Sequence, residues 1–260
     1  MNEWFQSFFF GLYGRVLRKQ FKPSDTADQV RIVRKALGLR KGRRVLDVPC
    51  GMGRLTIPLA ETGLRMTGVD LVPSYIRRAR RDAKRARVDA QFVVSDMRQI
   101  AFEREFHAAL NWFGSFGYFS AADNFRFARK VFAALKPRGR FLIEGINKSW
   151  VLRRFRKQSS ERRIGGVAVS QDLRWDAKLQ RIRGLWTLRR GSRTERHRVS
   201  MRVYNGTEIR NLLEQAGFRE IKLYGHPPLR RFSRHCPRFV AVGTRPRCGA
   251  TGRCGAGPRA

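Results

Sequence analysis

The chain has 260 residues, of which 42% are hydrophobic and 11% aromatic; this excludes a disordered protein and is enough for one domain with a full core. The 56 lysines and arginines outnumber the 20 acidic residues and give a formal net charge of +36. Such a charge serves an anionic partner (RNA, a phosphorylated substrate or a membrane surface) or reflects a genome biased toward arginine codons, although that bias does not explain the shortage of acids.

The cysteines indicate neither a metal site nor a disulfide framework. They form no CxxC pair and no cysteine–histidine cluster at zinc spacing. We therefore expect no metal and a reduced, cytoplasmic protein. The four residues are Cys50, Cys236, Cys248 and Cys254.

The first predicted element is an apolar stretch at residues 4–14. It is too short to span a bilayer, and the Met-Asn-Glu start lacks the basic residues of a secretory signal, so no transmembrane segment is expected. We interpret the stretch as a helix packed over the active site. The alternative is an amphipathic helix on a membrane surface, because basic residues follow it at Arg15, Arg18, Lys19 and Lys22.

Strands and helices alternate over the next part of the chain. Residues 24–37 have helical spacing, with Ser24 or Asp25 as the N-cap and Gly38 as the stop. The alternation predicts an α/β fold with a doubly wound, mostly parallel sheet. Strands are predicted at 45–48, 66–71, 91–94, 108–113 and 141–146, and helices at 75–88 and 125–135.

The pattern changes after Trp150. Three segments that alternate with period two predict a small antiparallel sheet inserted into the α/β domain. A further helix and two strands then complete a main sheet of seven strands. The segments of the inserted sheet are 167–175, 180–188 and 197–204, the helix is 209–216, and the last strands are 221–224 and 239–242.

These elements predict four parts of the chain. N-terminal helices that cap the active site occupy residues 1–40, and the core occupies 41–150 and 206–244. An antiparallel insertion or lid lies at 151–205. The tail at 245–260 contains the short repeat RCGATG, RCGAGP and is expected to be disordered.

The most specific motif is the run VLDVPCGMGR, in which a buried strand leads into a loop with Gly51 and Gly53. Glycine lets the backbone turn sharply and lets a ligand approach without a Cβ in the way. The helix that begins near Leu55 presents unpaired N–H groups to that ligand. Thr56 replaces the third glycine of the dinucleotide fingerprint, which argues against a dinucleotide.

Three acidic residues lie at the ends of successive predicted strands. Asp47 is inside the first strand, where a carboxylate is costly unless it binds a polar ligand; a cationic amino-acid group suits it better than a pyrophosphate. Asp70 ends the second strand, where an acid commonly takes ribose hydroxyls, and Asp96 follows the third, where it can meet an adenine amino group. A helix cap explains Asp70 or Asp96 alone, but all three acids together predict a ligand site.

Together these motifs resemble motifs I, II and III of class I S-adenosylmethionine-dependent methyltransferases. The run NWFGSFGYF is similar to the segment after strand four in one bacterial branch of that family, and LKPRGRFLIE resembles its loop and strand five. The resemblance covers roughly residues 25–245 and implies a Rossmann-like fold with S-adenosylmethionine as the cofactor. The insertion resembles that of small-molecule N-methyltransferases, including those acting on amino sugars. The chain departs from the common pattern at Pro49, where glycine is frequent.

The resemblance implies roles around the methionine part of the cofactor. Gly51 and Gly53 would pack against it, and Asp47 would lie near its ammonium group. Arg54, which follows the family's CGxGR form, would brace the loop that contains Cys50.

It also implies roles around the adenosine. Asp70 would hold the ribose, and Leu71, Asp96 and Met97 would contact the adenine. Asn111 would lie near the sulfonium. Since the N-terminal helices and the insertion roof the substrate pocket in that branch, several aromatic residues are candidate pocket or lid residues, although each is equally well explained as core. They are Trp4, Phe8, Tyr13, Tyr118 and Trp150.

Methyl transfer from a sulfonium is an in-line displacement with a neutral leaving group, so the enzyme mainly aligns the reactants and excludes water. No histidine–aspartate pair stands out in the sequence. Glu144 and His226 are weak acid–base candidates, and each is also explained as a satisfied polar residue or a residue of a surface loop.

The leading hypothesis is a methyltransferase that acts on a small molecule, on nitrogen rather than oxygen. One alternative is an RNA or protein methyltransferase that uses the basic surface; another, from a different class, is a non-catalytic nucleic-acid-binding protein. Amino-methyltransferases acting on a flipped base usually carry an Asn/Asp-Pro-Pro-aromatic loop after strand four, and this chain has Asn111-Trp112-Phe113-Gly114 there. Homodimers are common in the resembling branch, but nothing in the sequence requires one.

The charge of the insertion suggests a more specific hypothesis. Residues 151–205 contain 16 lysines and arginines against 4 acidic residues. If the insertion borders the substrate entrance, an anionic acceptor or partner would meet this charge first and associate faster at low salt. The arginines expected to act in this way include Arg181, Arg183, Arg189 and Arg190.

Overall fold

A computed structural model describes residues 3–154 and 158–247 of the chain. The predicted disordered tail falls mainly on residues 248–260, which lie outside the described residues together with Cys248 and Cys254. The other two cysteines, Cys50 and Cys236, are buried free thiols.

Three helices precede the main sheet: α1 (Trp4–Phe10), α2 (Tyr13–Lys19) and α3 (Pro23–Leu37). The apolar stretch predicted as one helix is therefore two helices separated at Gly11. Helix α3 ends at Gly38, whose φ of 61° is the left-handed conformation that glycine adopts without strain. No described helix is long and apolar enough to cross a membrane.

Strands and helices then alternate along the chain, much as the spacing of apolar residues predicts. Most boundaries lie within two residues of the predicted ones, but β5 begins six residues before its predicted start (141 against 135) and α6 four residues before (125 against 121). The elements are β1 (Arg44–Asp47), α4 (Thr56–Glu61), β2 (Arg65–Asp70), α5 (Pro73–Ala86), β3 (Ala90–Val94), β4 (Phe106–Asn111), α6 (Ala121–Ala134) and β5 (Leu135–Ile146).

The insertion begins after helix α7 and forms a separate four-stranded antiparallel sheet. Only three of its strands were predicted, because the first strand has the polar sequence QSSERRI, without period-two alternation. The elements are α7 (Lys148–Arg154), β6 (Gln158–Ile164), β7 (Val167–Asp176), β8 (Arg181–Arg190) and β9 (Arg193–Arg202).

The chain returns to the main sheet through α8 (Gly206–Gln215), β10 (Arg219–His226), β11 (Arg230–Arg231) and β12 (Arg238–Thr244). The strand order is β11–β10–β12–β5–β4–β1–β2–β3; strands β1 to β5 run parallel to one another, and β12 is antiparallel to both β5 and β10. This confirms the predicted doubly wound, mostly parallel α/β sheet. The predicted count of seven strands omits β11, a two-residue strand at the edge.

The inserted sheet packs on the N-terminal helices. Phe8 of α1, Leu12 between the two helices and Val16 of α2 lie in one hydrophobic cluster. Val167 and Leu188 of the insertion belong to the same cluster. A second contact is polar: the Glu195 carboxylate of β9 accepts a hydrogen bond from the Leu12 N–H at 2.7 Å. The insertion therefore supports α1 and α2 from the side facing away from the main sheet.

Candidate functional site

A cavity of about 560 Å³ lies at the carboxyl ends of the parallel strands, beside α1 and α2. The strand order reverses between β1 and β4, and in open α/β sheets ligands bind in the crevice formed at such a reversal. Asp47 and Asp70 line the side of the cavity formed by the sheet, while Phe5, Phe9 and Tyr13 line the side formed by the N-terminal helices.

The loop after β1 is built to bring backbone close to the cavity. Gly51 and Gly53 have φ values of 59° and 81°, conformations that favour glycine. A Cβ on Gly51 would meet only Leu17, at 3.9 Å, whereas one on Gly53 would lie 3.1 Å from Ile57. The Cys50 N–H donates to the Val69 carbonyl at 2.9 Å and ties the loop to β2. Gly51 thus leaves open space, and Gly53 allows close packing of α4.

Asp47 is buried at the end of β1, and its Oδ2 accepts a hydrogen bond from the Thr56 hydroxyl at 2.6 Å. Burial raises the pKa of this carboxyl to about 7, although the Thr56 hydroxyl and the nearby Arg54 charge favour the ionised form. A cationic ligand group would restore the charge. In the sequence, Thr56 stands out only because it replaces the third glycine of the dinucleotide fingerprint. In the structure, its hydroxyl orients the Asp47 carboxylate.

Asp70, at the end of β2, fixes two backbone segments. Its Oδ2 accepts from the Gly51 N–H at 2.8 Å and its Oδ1 from the Val72 N–H at 2.9 Å. Burial raises the pKa of Asp70 to about 6, against the effect of these hydrogen bonds. Each carboxylate oxygen keeps a further lone pair for ligand hydroxyls.

Asp96 lines the cavity after β3 and also caps a short 3-10 turn, Met97–Gln99; the capping interpretation is therefore confirmed, and the ligand role stays a prediction. Its Oδ1 accepts from the Arg98 N–H at 2.8 Å, and its Oδ2 pairs with the Arg98 guanidinium at 2.6 Å. Leu71 and Met97 also line the cavity. This wall therefore carries both apolar and anionic groups.

Asn111 does not line the cavity, although the sequence places it near the sulfonium. It is fully buried at the end of β4, and its side-chain amide donates to the Val48 carbonyl at 2.8 Å. The amide nitrogen also lies 3.8 Å from the Met97 sulfur. Asn111 thus holds β4 against the end of β1 behind the cavity wall.

Arg54 faces the cavity and does not pair with an acidic residue within the described part of the chain. Its guanidinium lies 3.9 Å from the centre of the Phe21 ring and donates to the Thr26 hydroxyl at 3.3 Å. Burial lowers the pKa of Arg54 to about 10. These contacts tie the end of the glycine loop to α3 and to the segment between α2 and α3, which is a wider role than bracing the loop itself.

Of the aromatic residues predicted at the pocket, Tyr13 and Tyr118 line the cavity. Burial raises the pKa of both phenols, that of Tyr118 to about 12, so both are neutral near pH 7. Trp150 does not line it: it packs with Val151 and Ile182 at the base of the insertion. Two further candidates, Trp4 and Phe8, belong to hydrophobic clusters and do not line the cavity.

Glu144 lies in β5 beneath the loop after β4, with its side chain 1% exposed. Its carboxylate forms an ion pair with Arg238 and accepts a hydrogen bond from the Phe113 N–H at 2.8 Å. The residue is absent from the cavity lining. Its oxygens are therefore committed to structure, and the prediction of a general base there has no geometric support.

His226 is also behind the cavity wall. Its ring contacts Trp112 with 5.3 Å between centroids, and burial lowers its pKa below the usual value. Because Trp112 separates the imidazole from the cavity, His226 is not placed to exchange a proton with a ligand there.

Several lining residues escaped the sequence analysis, among them Phe21, Tyr75 and Phe113. Tyr75 is in the first turn of α5, just after the carboxyl end of β2, so the rule that located Asp70 also applies to it. Phe113 was assigned to a strand, but β4 ends at Asn111 and Phe113 belongs to the following loop. Nothing in the sequence around Phe21 marks it as a cavity residue.

The described residues of the insertion, 158–205, are absent from the cavity lining. Arg181 is partly buried and donates to the carbonyls of Phe119, Tyr118 and Ser200 at 2.9, 3.0 and 2.8 Å. Arg183 pairs with Asp176 at 2.8 Å. These arginines therefore do not line the cavity, and Arg181 serves the loop after β4, while their role near the entrance stays a prediction.

Comparisons with known proteins agree with this geometry. A family model described as a methyltransferase domain matches residues 45–139. An S-adenosyl-L-methionine-dependent Diels-Alderase, iccD of Talaromyces variabilis, is 32% identical over 116 residues, which are 43% of this chain and 39% of the relative. The match spans about two fifths of that relative's length.

Two solved structures share the fold. An S-adenosylmethionine-dependent methyltransferase from Clostridium acetobutylicum superposes with a TM-score of 0.75 at 15% identity, over 93% of this chain and 99% of the other. CalS10, an amino pentose methyltransferase from Micromonospora echinaspora crystallised with S-adenosylmethionine, gives a TM-score of 0.64 at 21% identity, over 91% and 97%. At these identities the likeness concerns the fold.

The sheet order, the glycine loop and the acids at the ends of β1, β2 and β3 define a Rossmann-like methyltransferase domain. Residues 45–139 match the methyltransferase-domain family, and the fold is that of the solved S-adenosylmethionine-dependent methyltransferases. The matched region contains Asp47, the glycine loop, Asp70 and Asp96.

Proposed function

We propose that this chain transfers the methyl group of S-adenosylmethionine to a nitrogen atom of a small molecule. The observation that carries the proposal is the polarity of one cavity. Asp47, Asp70 and Asp96 lie at the ends of three strands on one wall, and aromatic side chains form the opposite wall. The acidic wall suits a cationic nucleoside, and the aromatic wall suits a small organic acceptor.

The residues at the strand ends fit the cofactor. Asp47 would bind its ammonium group. This carboxyl is buried and has no ion-pair partner among the described residues, so a cationic ligand group would supply the missing partner. Asp70 would accept from the ribose hydroxyls, and Gly51 would admit the methionine part, since a Cβ there faces open space. Leu71 and Met97 would contact the adenine, with Asp96 at its amino edge.

The bound cofactor supplies a methyl group on a positively charged sulfur, with a neutral thioether as the leaving group. The chain's own residues must align the acceptor with that methyl group and keep water out. Phe5 and Phe9 of α1, with Tyr13 of α2, cover the cavity for this purpose. Their position is fixed from outside by the insertion through Leu12 and Glu195.

Nitrogen is the favoured acceptor atom because the carboxylates that line the cavity are either assigned to the cofactor or paired with arginines. No histidine lines it within the described residues, and Glu144 is held by Arg238 behind the wall. A neutral amine attacks through its own lone pair and can lose its proton to solvent afterwards, whereas an alcohol needs a base. The amino pentose methyltransferase with the same fold is consistent with this choice.

A small-molecule acceptor is favoured over RNA or a protein because the cavity is covered by two helices and is of small-ligand size. The segment Asn111-Trp112-Phe113-Gly114 also lacks the two prolines of base-amine methyltransferases. The basic surface remains the one feature that fits a polyanion.

The proposal is tested by incubating the protein with S-adenosylmethionine that carries a labelled methyl group, together with either a metabolite extract or total RNA. We expect label in low-molecular-weight, amine-containing products. Label only in RNA or protein would contradict the small-molecule assignment. An Asp70→Ala variant, which should bind the cofactor weakly, is the negative control.

A further inference from the structure

The cavity lining is strongly aromatic. Nine aromatic side chains line the cavity, whereas its four acidic residues lie at the ends of β1, β2 and β3 and on α5. Two of these acids are already paired, Asp82 with Arg78 at 2.5 Å and Asp96 with Arg98 at 2.6 Å. These two carboxylates therefore have less capacity to accept hydrogen bonds from the hydroxyl groups of a sugar-like acceptor.

One of the aromatic residues, Phe113, has an unusual backbone. Its φ is 70° and that of Gly114 is 77°, so two consecutive residues are left-handed. Glycine adopts this conformation freely, but for a bulky residue such as phenylalanine it is strained. Such strain persists only where the surrounding structure enforces it, and it concentrates at ligand sites.

Glu144 enforces this conformation. Its Oε2 accepts from the Phe113 N–H at 2.8 Å, and its own carbonyl accepts from the Gly114 N–H at 3.2 Å. The carboxylate is fixed in turn by Arg238, whose Nη2 lies 2.9 Å from the same Oε2. Since the side chain of Glu144 is 1% exposed, water cannot replace these contacts, and the loop is fixed from beneath.

The result is an aromatic cluster at the cavity wall. The Phe113 ring meets Phe21 edge to face, with 5.0 Å between centroids and an interplanar angle of 78°. The Arg54 guanidinium stacks on Phe21 at 3.9 Å. All three residues line the cavity. Aromatic rings pair with other rings in edge-to-face or offset-stacked geometry, so a planar aromatic acceptor gains contacts with Phe113 that a puckered ring does not.

We propose that the acceptor is a planar, largely apolar molecule that packs against Phe113, and that Glu144 is the positioning residue that holds Phe113 for this contact. The inference rests on the proposed function and specifies its substrate class. The Tyr75 hydroxyl is a second feature of this wall: it is buried, has no hydrogen-bond partner among the described residues and belongs to a side chain that lines the cavity. It would bind a single donor or acceptor on the planar molecule.

The test uses the full-length protein saturated with S-adenosylhomocysteine and three probes. Benzyl alcohol and cyclohexylmethanol are neutral and differ mainly in ring flatness, and glucosamine represents a polar sugar. Dissociation constants are measured by ligand-observed NMR. We expect benzyl alcohol to bind about threefold to tenfold more tightly than cyclohexylmethanol, with glucosamine the weakest.

Phe113→Leu and Glu144→Gln should bring that ratio close to one while leaving the affinity for S-adenosylhomocysteine unchanged. Phe10→Leu makes the same change at an exposed site outside the cavity lining and should preserve the ratio. If Glu144→Gln fails to fold, Phe113→Leu carries the test alone.

Two results would overturn the inference while leaving the proposed function intact: a ratio near one in the wild type, or glucosamine as the tightest probe. Equal loss of probe and cofactor affinity in Glu144→Gln would show a merely structural role for that residue and contradict its part in the inference. Failure of the wild type to bind S-adenosylhomocysteine would overturn the proposed function and the inference with it.

Discussion

The guanidinium of Arg98 binds the carboxylate of Glu3 through two nitrogen atoms, with Nη1 donating to Oε1 at 2.7 Å and Nη2 to Oε2 at 2.5 Å. The same guanidinium binds Asp96 on the cavity wall. Hydrogen bonds to Asp96 are the main cause that raises the pKa of Arg98 above its usual value. Arg98 therefore joins the residue preceding α1 to the predicted adenine edge of the site.

Arg98→Gln should loosen α1 without unfolding the protein. Both partners of the Arg98–Glu3 pair are partly exposed, so its loss should cost only about 0.5–1 kcal/mol. Hydrogen exchange of the α1 amides should accelerate, and the affinity for S-adenosylhomocysteine should fall modestly. Arg31→Gln, which breaks the exposed pair with Asp28, is the matched control. Unchanged exchange in α1 would show that Arg98 does not hold that helix.

Asp70→Ala should weaken the binding of S-adenosylhomocysteine by about 1.5–3 kcal/mol, because charge-assisted hydrogen bonds to the ribose are lost. The variant also frees the N–H groups of Gly51 and Val72, so its unfolding transition should be measured beside the binding. Asp89→Ala, at an exposed pair with Arg65, is the control. Full affinity in a folded Asp70→Ala variant would remove Asp70 from the site.

The raised pKa of Asp47, about 7, predicts a pH dependence of cofactor binding. The ionised form binds the ammonium, so below pH 7 binding must release a proton. Affinity should then rise between pH 5 and 7, by at most about tenfold per pH unit. Calorimetry in buffers of different ionisation enthalpy measures the released proton. An Asp47→Asn variant should bind weakly at every pH in this range.

The same carboxyl has the opposite linkage to stability when no ligand is bound. Its folded pKa of about 7 exceeds the ordinary value of 3.8 for an aspartate, so the folded state binds the proton more tightly than the unfolded chain does. Its contribution to stability is complete below pH 3.8 and is lost as the pH rises toward 7. Asp47→Asn should therefore unfold with a shallower pH dependence than the wild type over this interval.

Thr56→Val should shift the binding profile to higher pH. The Thr56 hydroxyl donates to Asp47 and favours its ionised form, so its removal raises the pKa of Asp47 further. Thr62→Val, which removes a hydroxyl bonded to the Leu59 carbonyl at the end of the same helix, should leave the profile unchanged. Identical profiles for the two variants would contradict the assigned role of Thr56.

The arginines of the insertion should separate into two groups. Arg181→Ser removes hydrogen bonds to the loop after β4 and should lower the melting temperature. Arg189→Ser and Arg190→Ser alter exposed residues outside the cavity lining and should change neither stability nor the salt dependence of kcat/KM. A marked loss of salt dependence in the latter pair would support the hypothesis that the insertion attracts the acceptor.

The cofactor half of the site follows from sequence because it depends on short-range rules. Asp47, Asp70 and Asp96 each end or follow an apolar strand, and parallel strands bring their carboxyl ends to one edge. The acceptor half depends on tertiary packing. Phe21 reaches the cavity from the segment between two helices, and Glu144 is withdrawn from it by Arg238, a residue 94 positions away. No local spacing encodes either relationship.

The same distinction explains the errors in the fold. The buried strands of the main sheet show apolar runs, and their bounds agree with the prediction within two residues except at the start of β5, where the sequence LKPRGR is largely polar. Strands β6 and β11 were missed because their sequences, QSSERRI and RR, contain little apolar signal and lie at sheet edges. Trp150 was misplaced because its position depends on packing with Ile182, inside the insertion.

The most direct test of the central claim is calorimetric titration of the wild-type protein with S-adenosylmethionine and, separately, with NAD. We predict one saturable site for S-adenosylmethionine and no comparable binding of NAD, because Thr56 stands in place of the third glycine and Asp47 would repel a pyrophosphate. Absence of S-adenosylmethionine binding, or tighter binding of NAD, would contradict the account.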